Sequence, residues 1–264
     1  MTSWRARIVL SVTVVSSLFA YSQPREPEFN EVYRGEAGTV FSSKPNVFLV
    51  RSLQHRKPRR ALDAGMGQGR NSIFLAQHGW DVTGFDISDE GVRQARLQAT
   101  RRGLKLNAVV SSFEQFDLGE DRWDLIVLTY VSPDRNYALK LVHSLRPGGA
   151  IVMEDRHVDS RRVWPEGTYR DNELLSFFPG LRVTHYEDVW DRPDWQAKHL
   201  HERILRIMAE KPAAPQSGCS WEGDCCLKAA PPAGITFAYF DAHRTAGSSP
   251  ARNAGADPRS HEGS

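Results

Sequence analysis

The sequence predicts an α/β fold, a doubly wound seven-stranded sheet that is mostly parallel and ends in an antiparallel hairpin. Two observations carry this prediction. Short apolar runs of strand character alternate with helical segments from residue 60 to residue 153, which is typical of parallel strands joined by helices. The last two apolar runs, at residues 181–190 and 201–208, follow one another without a helical segment, and this predicts an antiparallel pair.

The first predicted strand leads into a glycine-rich turn. A short buried strand over residues 61–64 ends in three glycines at alternate positions, Gly65, Gly67 and Gly69, and a helix follows. Glycine is expected here because the turn needs backbone angles that a β-carbon disfavours, and because a ligand can then approach the main chain closely. A strand, a glycine turn and a helix together predict a nucleotide-binding loop.

The spacing of the glycines decides which ligand the loop would take. The dinucleotide fingerprint G-x-G-x-x-G requires glycine where the chain has Arg70, and the phosphate loop requires a Gly-Lys pair that does not follow here. The pattern is D-x-G-x-G-x-G, with Asp63 inside the strand, and Asp86 closes the next apolar run. A carboxylate at the tip of the second strand can accept hydrogen bonds from both hydroxyls of a ribose.

The glycine loop and Asp86, at this separation, resemble the cofactor site of the class I S-adenosylmethionine-dependent methyltransferases. The Arg-Pro-Gly-Gly turn at residues 146–149, before an apolar strand, is a third motif shared with that family. The Gly-Arg-Asn continuation of the loop at residues 69–71 and the C-terminal run over residues 169–211 look like small-molecule methyltransferases of the tellurite-resistance type. The resemblance covers about residues 29–211 and implies a Rossmann-like class I methyltransferase fold with S-adenosylmethionine as cofactor.

The resemblance also implies a set of cofactor contacts. Ser112 stands where the family often has an acid for the adenine amino group, and Phe113 could compensate by stacking on the base. Tyr33 and Phe41 are candidates for a lid over the cofactor, or alternatively for packing against the first helix of the sheet. The residues implied to bind the cofactor are Asp63, Gly65, Gly67, Gly69, Asp86, Ile87, Ser112, Phe113, Leu128 and Thr129.

No catalytic residue follows from the sequence. Methyl transfer from a sulfonium is a single in-line displacement, so the protein must mainly align the nucleophile with the methyl group and exclude water. An oxygen or nitrogen acceptor would want a general base, for which Tyr130, Asp155 and His157 are candidates. His199 and His201 could share one strand face and a metal ion, but the lack of a third ligand argues against a metal site.

The two ends of the chain differ in composition from its middle. Residues 1–22 combine a basic start, a short apolar centre and small residues at a possible cleavage point, the pattern of a secretory signal peptide, and contact with a membrane is expected only through this segment. The methyltransferase domain is expected over residues 23–211, and residues 212–264, rich in Ala, Pro, Gly and Ser, are expected to be disordered. The leader favours export or membrane association whereas the cofactor supply favours the cytoplasm, so the compartment stays open.

Composition narrows the function further. The chain has 34 basic and 32 acidic residues, and a net charge of +2 argues against a dedicated nucleic-acid binder. The leading hypothesis is a methyltransferase for a small-molecule acceptor, working as a monomer or dimer. An exported binding module that keeps the fold without turnover is the first alternative, and a nucleotide-linked oxidoreductase, which Arg70 disfavours, is the second.

Overall fold

The computed structural model describes residues 26–36, 41–160, 169–195 and 201–213. The predicted leader over residues 1–22 lies outside these described residues, as does the predicted tail apart from residues 212 and 213. Among the described helices, none combines the length and the apolar character that crossing a membrane would require.

The described chain is built on one seven-stranded sheet with the order β3-β2-β1-β4-β5-β7-β6. Strands β1 to β5 pair in parallel, whereas β7 lies antiparallel to both β5 and β6. The predicted doubly wound sheet with its antiparallel C-terminal pair is therefore confirmed. The strands are β1 (Arg60–Ala64), β2 (Asp81–Asp86), β3 (Asn107–Val110), β4 (Trp123–Thr129), β5 (Leu145–Arg156), β6 (Arg182–Asp191) and β7 (Glu202–Glu210).

Five α-helices accompany this sheet in the described ranges, namely α1 (Glu26–Arg34), α2 (Val47–Ser52), α3 (Arg70–Gln77), α4 (Asp89–Arg101) and α5 (Arg135–Ser144). The sequence also predicts a helix over residues 172–178, and this prediction is wrong, because only a 3-10 turn, Glu173–Ser176, forms there. Asn172 has a left-handed φ of 58°, which an α-helix does not allow, and Pro179 disfavours helical geometry in the residue before it.

Alternate side chains of the central strands build two apolar layers, one on each face of the sheet. Val127 belongs to the layer that includes residues of α2 and α3, and Leu128 belongs to the layer that includes residues of α5. The same alternation separates Val152 from Met153 in β5. The polar residues that continue β5 therefore alternate between the two faces as well.

The winding of the chain reverses between β1 and β4. Strands β2 and β3 extend the sheet on one side of β1, and β4 and β5 extend it on the other. The register aligns Ala64 with both Phe85 and Leu128, so the carboxyl ends of β1, β2 and β4 finish at one rim. Ligands of doubly wound sheets bind at such a point of reversal.

Candidate functional site

The glycine loop joins β1 to α3 at this rim, and β2 holds its main chain. The amides of Gly65 and Met66 both donate to the carbonyl oxygen of Phe85, at 2.9 Å. Gly65, Gly67 and Gly69 have φ values of 73°, 53° and 82°, all in the left-handed region that residues with a β-carbon disfavour. The loop conformation therefore depends on glycine at these alternate positions.

Asp86 ends β2 with its carboxylate on the glycine loop. Its Oδ2 accepts a hydrogen bond from the amide of Gly67 at 2.8 Å, and its Oδ1 accepts one from the amide of Ser88 at 2.9 Å. Burial raises the pKa of Asp86, although these two amide bonds oppose the rise. Each carboxylate oxygen has further acceptor capacity, so the group can also take hydroxyl donors from a ligand.

Asp63 joins β1 to the start of α3. The side chain is buried, and its Oδ2 accepts a hydrogen bond from Oγ of Ser72 at 2.6 Å. Burial raises the pKa of Asp63 to about 6, against the lowering effect of Ser72. In the structure this carboxylate anchors the beginning of α3, the helix that follows the loop.

Tyr33 of α1 lies against the glycine loop and α4. A β-carbon built on Gly67 would stand 2.2 Å from the Tyr33 Oη, and one built on Gly91 would stand 3.1 Å from its Cε2. Asn30 fastens α1 to the start of α4, because its Oδ1 accepts a hydrogen bond from Oγ of Ser88 at 2.6 Å. Burial, followed by the charge of Asp86, raises the pKa of Tyr33 well above its usual range, so the phenol stays neutral.

A row of four aromatic rings runs from α1 to the end of β4. The ring centroids are 5.4 Å apart for Tyr33 and Phe41, 5.7 Å for Phe41 and Trp195, and 5.8 Å for Trp195 and Tyr130. The guanidinium carbon of Arg156 lies 5.5 Å from the ring centre of Tyr130 and 5.9 Å from that of Trp195. The row thus connects the two lid candidates, Tyr33 and Phe41, with Tyr130 and Arg156 at the rim of the sheet.

The end of β3 lies beside Asp86. Ser112 and Phe113, the two residues expected near adenine, follow this strand and are therefore close to Asp86 in the chain fold. The amide of Ser111 donates to the carbonyl oxygen of Asp86 at 2.9 Å, and Ser112 and Phe113 follow in the chain. The Phe113 ring packs edge-on against Phe85, with centroids 5.1 Å apart. Ile87, which follows Asp86, is half-buried.

Leu128 and Thr129, the two residues expected to contact the cofactor at the end of β4, have side chains on opposite faces of the sheet. Leu128 is fully buried in the apolar core, so only its main chain is available at the rim. The Thr129 side chain lies on the opposite face, and its Oγ1 accepts a hydrogen bond from Nδ2 of Asn71 at 3.0 Å. A side-chain contribution to a ligand site at this position can therefore come from Thr129 and not from Leu128.

The Gly-Arg-Asn continuation of the loop anchors segments from both ends of the domain. Arg70 forms an ion pair with Asp194 in the segment after β6, with Nη2 and Oδ1 2.9 Å apart. Asn71 accepts a hydrogen bond at its Oδ1 from the amide of Asn46, at 2.9 Å. In the sequence, Arg70 is incompatible with a dinucleotide fingerprint, but its partner Asp194 is not evident there because it lies 124 residues away.

Glu154 of β5 is the centre of a buried polar network that sequence reasoning missed. Its Oε1 accepts hydrogen bonds from Tyr130 Oη at 2.6 Å and from Asn46 Nδ2 at 2.8 Å. Its Oε2 accepts from Nε of Arg206 at 2.6 Å, and the Glu154 side chain is only 2% exposed. The sequence signal was a pair of acids directly after the apolar run of a central strand.

The structure separates the three candidates for a general base. Tyr130 bonds Glu154, whereas Asp155 accepts a hydrogen bond from Oγ of Ser132 on the other face of β5, and burial raises the pKa of Asp155 to about 6. The Nδ1 of His157 accepts from the amide of Asp159 at 3.1 Å. Of the three, Tyr130 alone belongs to the aromatic row that reaches the glycine loop.

His157 belongs to a separate cluster near the start of β7. His157, Asp171 and Asp188 offer ligand atoms within 4.8 Å of one another. Arg203 already supplies positive charge there, since it donates to Asp171 at 2.7 Å and to Asp188 at 2.6 Å. His201 is exposed, and its proposed partner His199 lies outside the described residues. We therefore assign no metal to this cluster.

Comparison with known proteins finds similarity to methyltransferases. A family model described as a methyltransferase domain matches residues 61–149, which contain the glycine loop, Asp86 and the Arg-Pro-Gly-Gly turn. The crystal structure of TehB from Haemophilus influenzae superposes with a TM-score of 0.55 at 17% identity, covering 69% of this chain and 67% of that chain. At that identity the likeness concerns the fold alone.

Curated proteins with similar sequences include two methyltransferases. The glycine/sarcosine N-methyltransferase of Aphanothece halophytica is 28% identical over 61% of this chain and 71% of its own length. The ubiquinone biosynthesis O-methyltransferase of Paramagnetospirillum magneticum is 30% identical over 55% of this chain, and the chain spans 59% of that relative's length.

Proposed function

Because the chain belongs to the class I S-adenosylmethionine-dependent methyltransferases, we propose that it transfers a methyl group from S-adenosylmethionine to a small-molecule acceptor. S-adenosylmethionine is the cofactor of this family. The observation that supports the proposal is the hydrogen bond from the Gly67 amide to Asp86, because it holds a carboxylate that could accept from both ribose hydroxyls beside the glycine turn at the reversal point of the sheet.

The residues at this rim fit an adenosyl sulfonium. The carboxylate of Asp86 has acceptor capacity left for ribose hydroxyls, and Phe113 offers an aromatic surface for the base. Gly65 and Gly67 carry no side chains of their own, and the side chains of Val131 and Tyr33 lie where their β-carbons would stand. In this proposal Tyr33 and Phe41 cover the cofactor, and Thr129 lines its reactive end.

Methyl transfer requires the protein mainly to align the acceptor with the methyl group. Bound S-adenosylmethionine supplies an electrophilic methyl group together with its own leaving group. The aromatic row from Tyr33 to Tyr130 would exclude water from the line between acceptor and methyl group. The fixed rim of strand ends would hold the two reactants close, which is the main source of rate in such a displacement.

The choice of a small-molecule acceptor rests on the relatives and on charge. Two of the curated relatives are named for methylation of glycine or sarcosine and for ubiquinone biosynthesis. The net charge of +2 provides no excess of cations for a phosphate backbone.

Isothermal titration of the purified chain with S-adenosylmethionine, and separately with NAD, tests the cofactor. We expect heat with the former and none with the latter, and the reverse would revive the oxidoreductase alternative. Methyl transfer is then assayed with a panel of thiols, amines, phenols and chalcogen oxyanions. Binding without methylation of any panel member would favour the binding-module alternative.

A further inference from the structure

Tyr130 occupies a strained position at the rim. It has a φ of 56°, and a residue with a large side chain adopts this left-handed region only when its surroundings enforce it. Its amide donates to the carbonyl oxygen of Glu154 at 2.8 Å, and its Oη donates to the Oε1 of the same residue at 2.6 Å. Glu154 thus holds Tyr130 at both its main chain and its hydroxyl group.

The position of Tyr130 relates it to the acceptor. It directly follows Thr129, at the end of the strand that neighbours the glycine loop, and its ring adjoins Trp195. A group that approaches the methyl end of a cofactor seated on the loop would meet this end of β4. The Tyr130 hydroxyl is both a donor and an acceptor, so it can take a proton while it gives its own to Glu154.

The surroundings of Glu154 suit a group that gains and loses a proton. Arg206 donates to Glu154, and it also donates to Glu187 and Asp191, each at 2.8 Å. When Glu154 is protonated, Arg206 therefore keeps two other carboxylates and is not left as an uncompensated buried charge. This tolerance is unusual for a buried ion pair, because breaking one normally strands a charge.

Burial, followed by the charge of Asp194, raises the pKa of Glu154 although Arg206 and Tyr130 oppose the rise. Burial, followed by the charge of Glu154, raises the pKa of Tyr130 well above its usual range. A phenol that stays neutral can relay a proton, and a carboxyl group with a raised pKa binds a proton more readily. The charged groups that face this pair are Arg70, Arg156, Asp194 and Arg206, with Glu187 and Asp191 bound to Arg206.

On the basis of the proposed function, we infer that the acceptor is a protic small molecule, a hydroxyl, phenol or amine, whose proton passes through Tyr130 to Glu154 during methyl transfer. The acceptor heteroatom forms a bond to the methyl carbon as the carbon–sulfur bond breaks and leaves a neutral thioether. The acceptor proton moves to Tyr130 Oη while the Tyr130 proton moves to Glu154 Oε1. Glu154 then returns the proton to water after product release.

The test compares three isosteric variants with the parent protein, using the panel acceptor that the parent methylates best. Tyr130→Phe removes the relay, and Glu154→Gln removes the proton acceptor. Glu187→Gln is the matched control, because Glu187 bonds the same Arg206 but no hydrogen bond links it to Tyr130. Circular dichroism and the affinity for S-adenosylmethionine confirm that each variant is folded and binds cofactor.

We expect Tyr130→Phe and Glu154→Gln to lower kcat about 10²-fold, with the affinity for S-adenosylmethionine unchanged, whereas Glu187→Gln retains kcat within a few-fold. The parent kcat should fall as the pH is lowered, since Glu154 must be ionised to accept the proton. That acid limb should disappear in Glu154→Gln. Loss of the limb separates proton acceptance from a merely structural role.

The outcomes distinguish this inference from the proposed function. If the parent methylates a protic acceptor but Tyr130→Phe retains its kcat, the relay is wrong and the proposed function stands. The relay is also wrong if the acid limb persists in Glu154→Gln, or if Glu187→Gln lowers kcat equally. If the parent binds no S-adenosylmethionine or methylates no acceptor of the panel, the proposed function and the relay are rejected together.

Discussion

The amide of Gly67 donates a hydrogen bond to the carboxylate of Asp86 at 2.8 Å, across 19 residues of sequence. This bond joins the loop after β1 to the end of β2. It fixes the carboxylate beside main chain that carries no side chain. This one hydrogen bond therefore positions both parts of the proposed cofactor site, the glycine loop and the Asp86 carboxylate.

Replacement of Asp86 should impair cofactor binding directly. We expect Asp86→Ala to weaken the affinity for S-adenosylmethionine more than tenfold, because the ribose loses its acceptor and the Gly67 amide loses its anchor. Isothermal titration measures the change. Asp89→Ala, an exposed acid in the first turn of α4, is the control and should bind as the parent does. An unchanged affinity in Asp86→Ala would mean that the ribose contact is misassigned.

The packing of Tyr33 on Gly67 predicts an unusual cost for a β-carbon. Gly67→Ala should destabilise the protein by about 1–3 kcal/mol in urea unfolding, since it combines left-handed strain with displacement of the phenol. Gly35→Ala carries a similar strain at φ 80° with no atom within 4 Å of the added carbon, so it should cost only about 1 kcal/mol. In a Tyr33→Ala background, the Gly67→Ala cost should fall to the Gly35→Ala value. A cost that is the same in both backgrounds would exclude the contact.

Asn46 should be more important than an ordinary helix cap. Its Oδ1 accepts from the amide of Leu49 at the start of α2, while its Nδ2 donates to Glu154 and Asp194. Asn46→Ala should therefore cost about 2–4 kcal/mol of unfolding free energy, since the buried Glu154 and the half-buried Asp194 lose a donor as well.

Asp134→Ala provides the comparison, because Asp134 caps α5 through the Tyr137 amide at 2.7 Å and is itself exposed. It should cost about 1 kcal/mol. Equal losses in the two variants would mean that the side-chain bonds of Asn46 to Glu154 and Asp194 add no stability.

The buried carboxyl of Asp63 should make stability depend on pH. Its pKa is raised to about 6, above about 3.9 in an unfolded chain, so the folded state binds this proton more tightly. The stabilisation is complete below about pH 4 and is lost as the pH rises through about 6. Relative to Asp63→Asn, the parent should lose about 2–3 kcal/mol between pH 4 and pH 7.

Urea unfolding of both proteins at several pH values measures this difference. Asp155, whose pKa is also raised to about 6, is present in both proteins, so its effect cancels in the comparison. Parallel stability curves for the parent and Asp63→Asn would contradict the assignment.

The amino-acid sequence by itself determined the sheet and the position of the nucleotide loop. Both depend on local patterns. The sheet follows from the alternation of apolar runs with helical segments. The loop follows from three glycines, the residue type that adopts a left-handed φ most readily. Asp86 could be found for the same reason, since a carboxylate that closes a strand next to the loop strand must reach the same rim. The helix predicted over residues 172–178 does not form, because Asn172 adopts a left-handed φ there.

Only the tertiary structure decided the partners of the polar residues. Tyr130 follows the end of β4, Glu154 lies in β5 and Arg206 lies in β7. Asn46 reaches the same network from 108 residues before Glu154. Hydrogen bonds and ion pairs act over a few ångströms of space, so sequence spacing carries no record of which side chains they join. Strand alternation alone puts Glu154 and Asp155 on opposite faces, but which face each one takes was fixed only when the strand took its register beside β4 and β7.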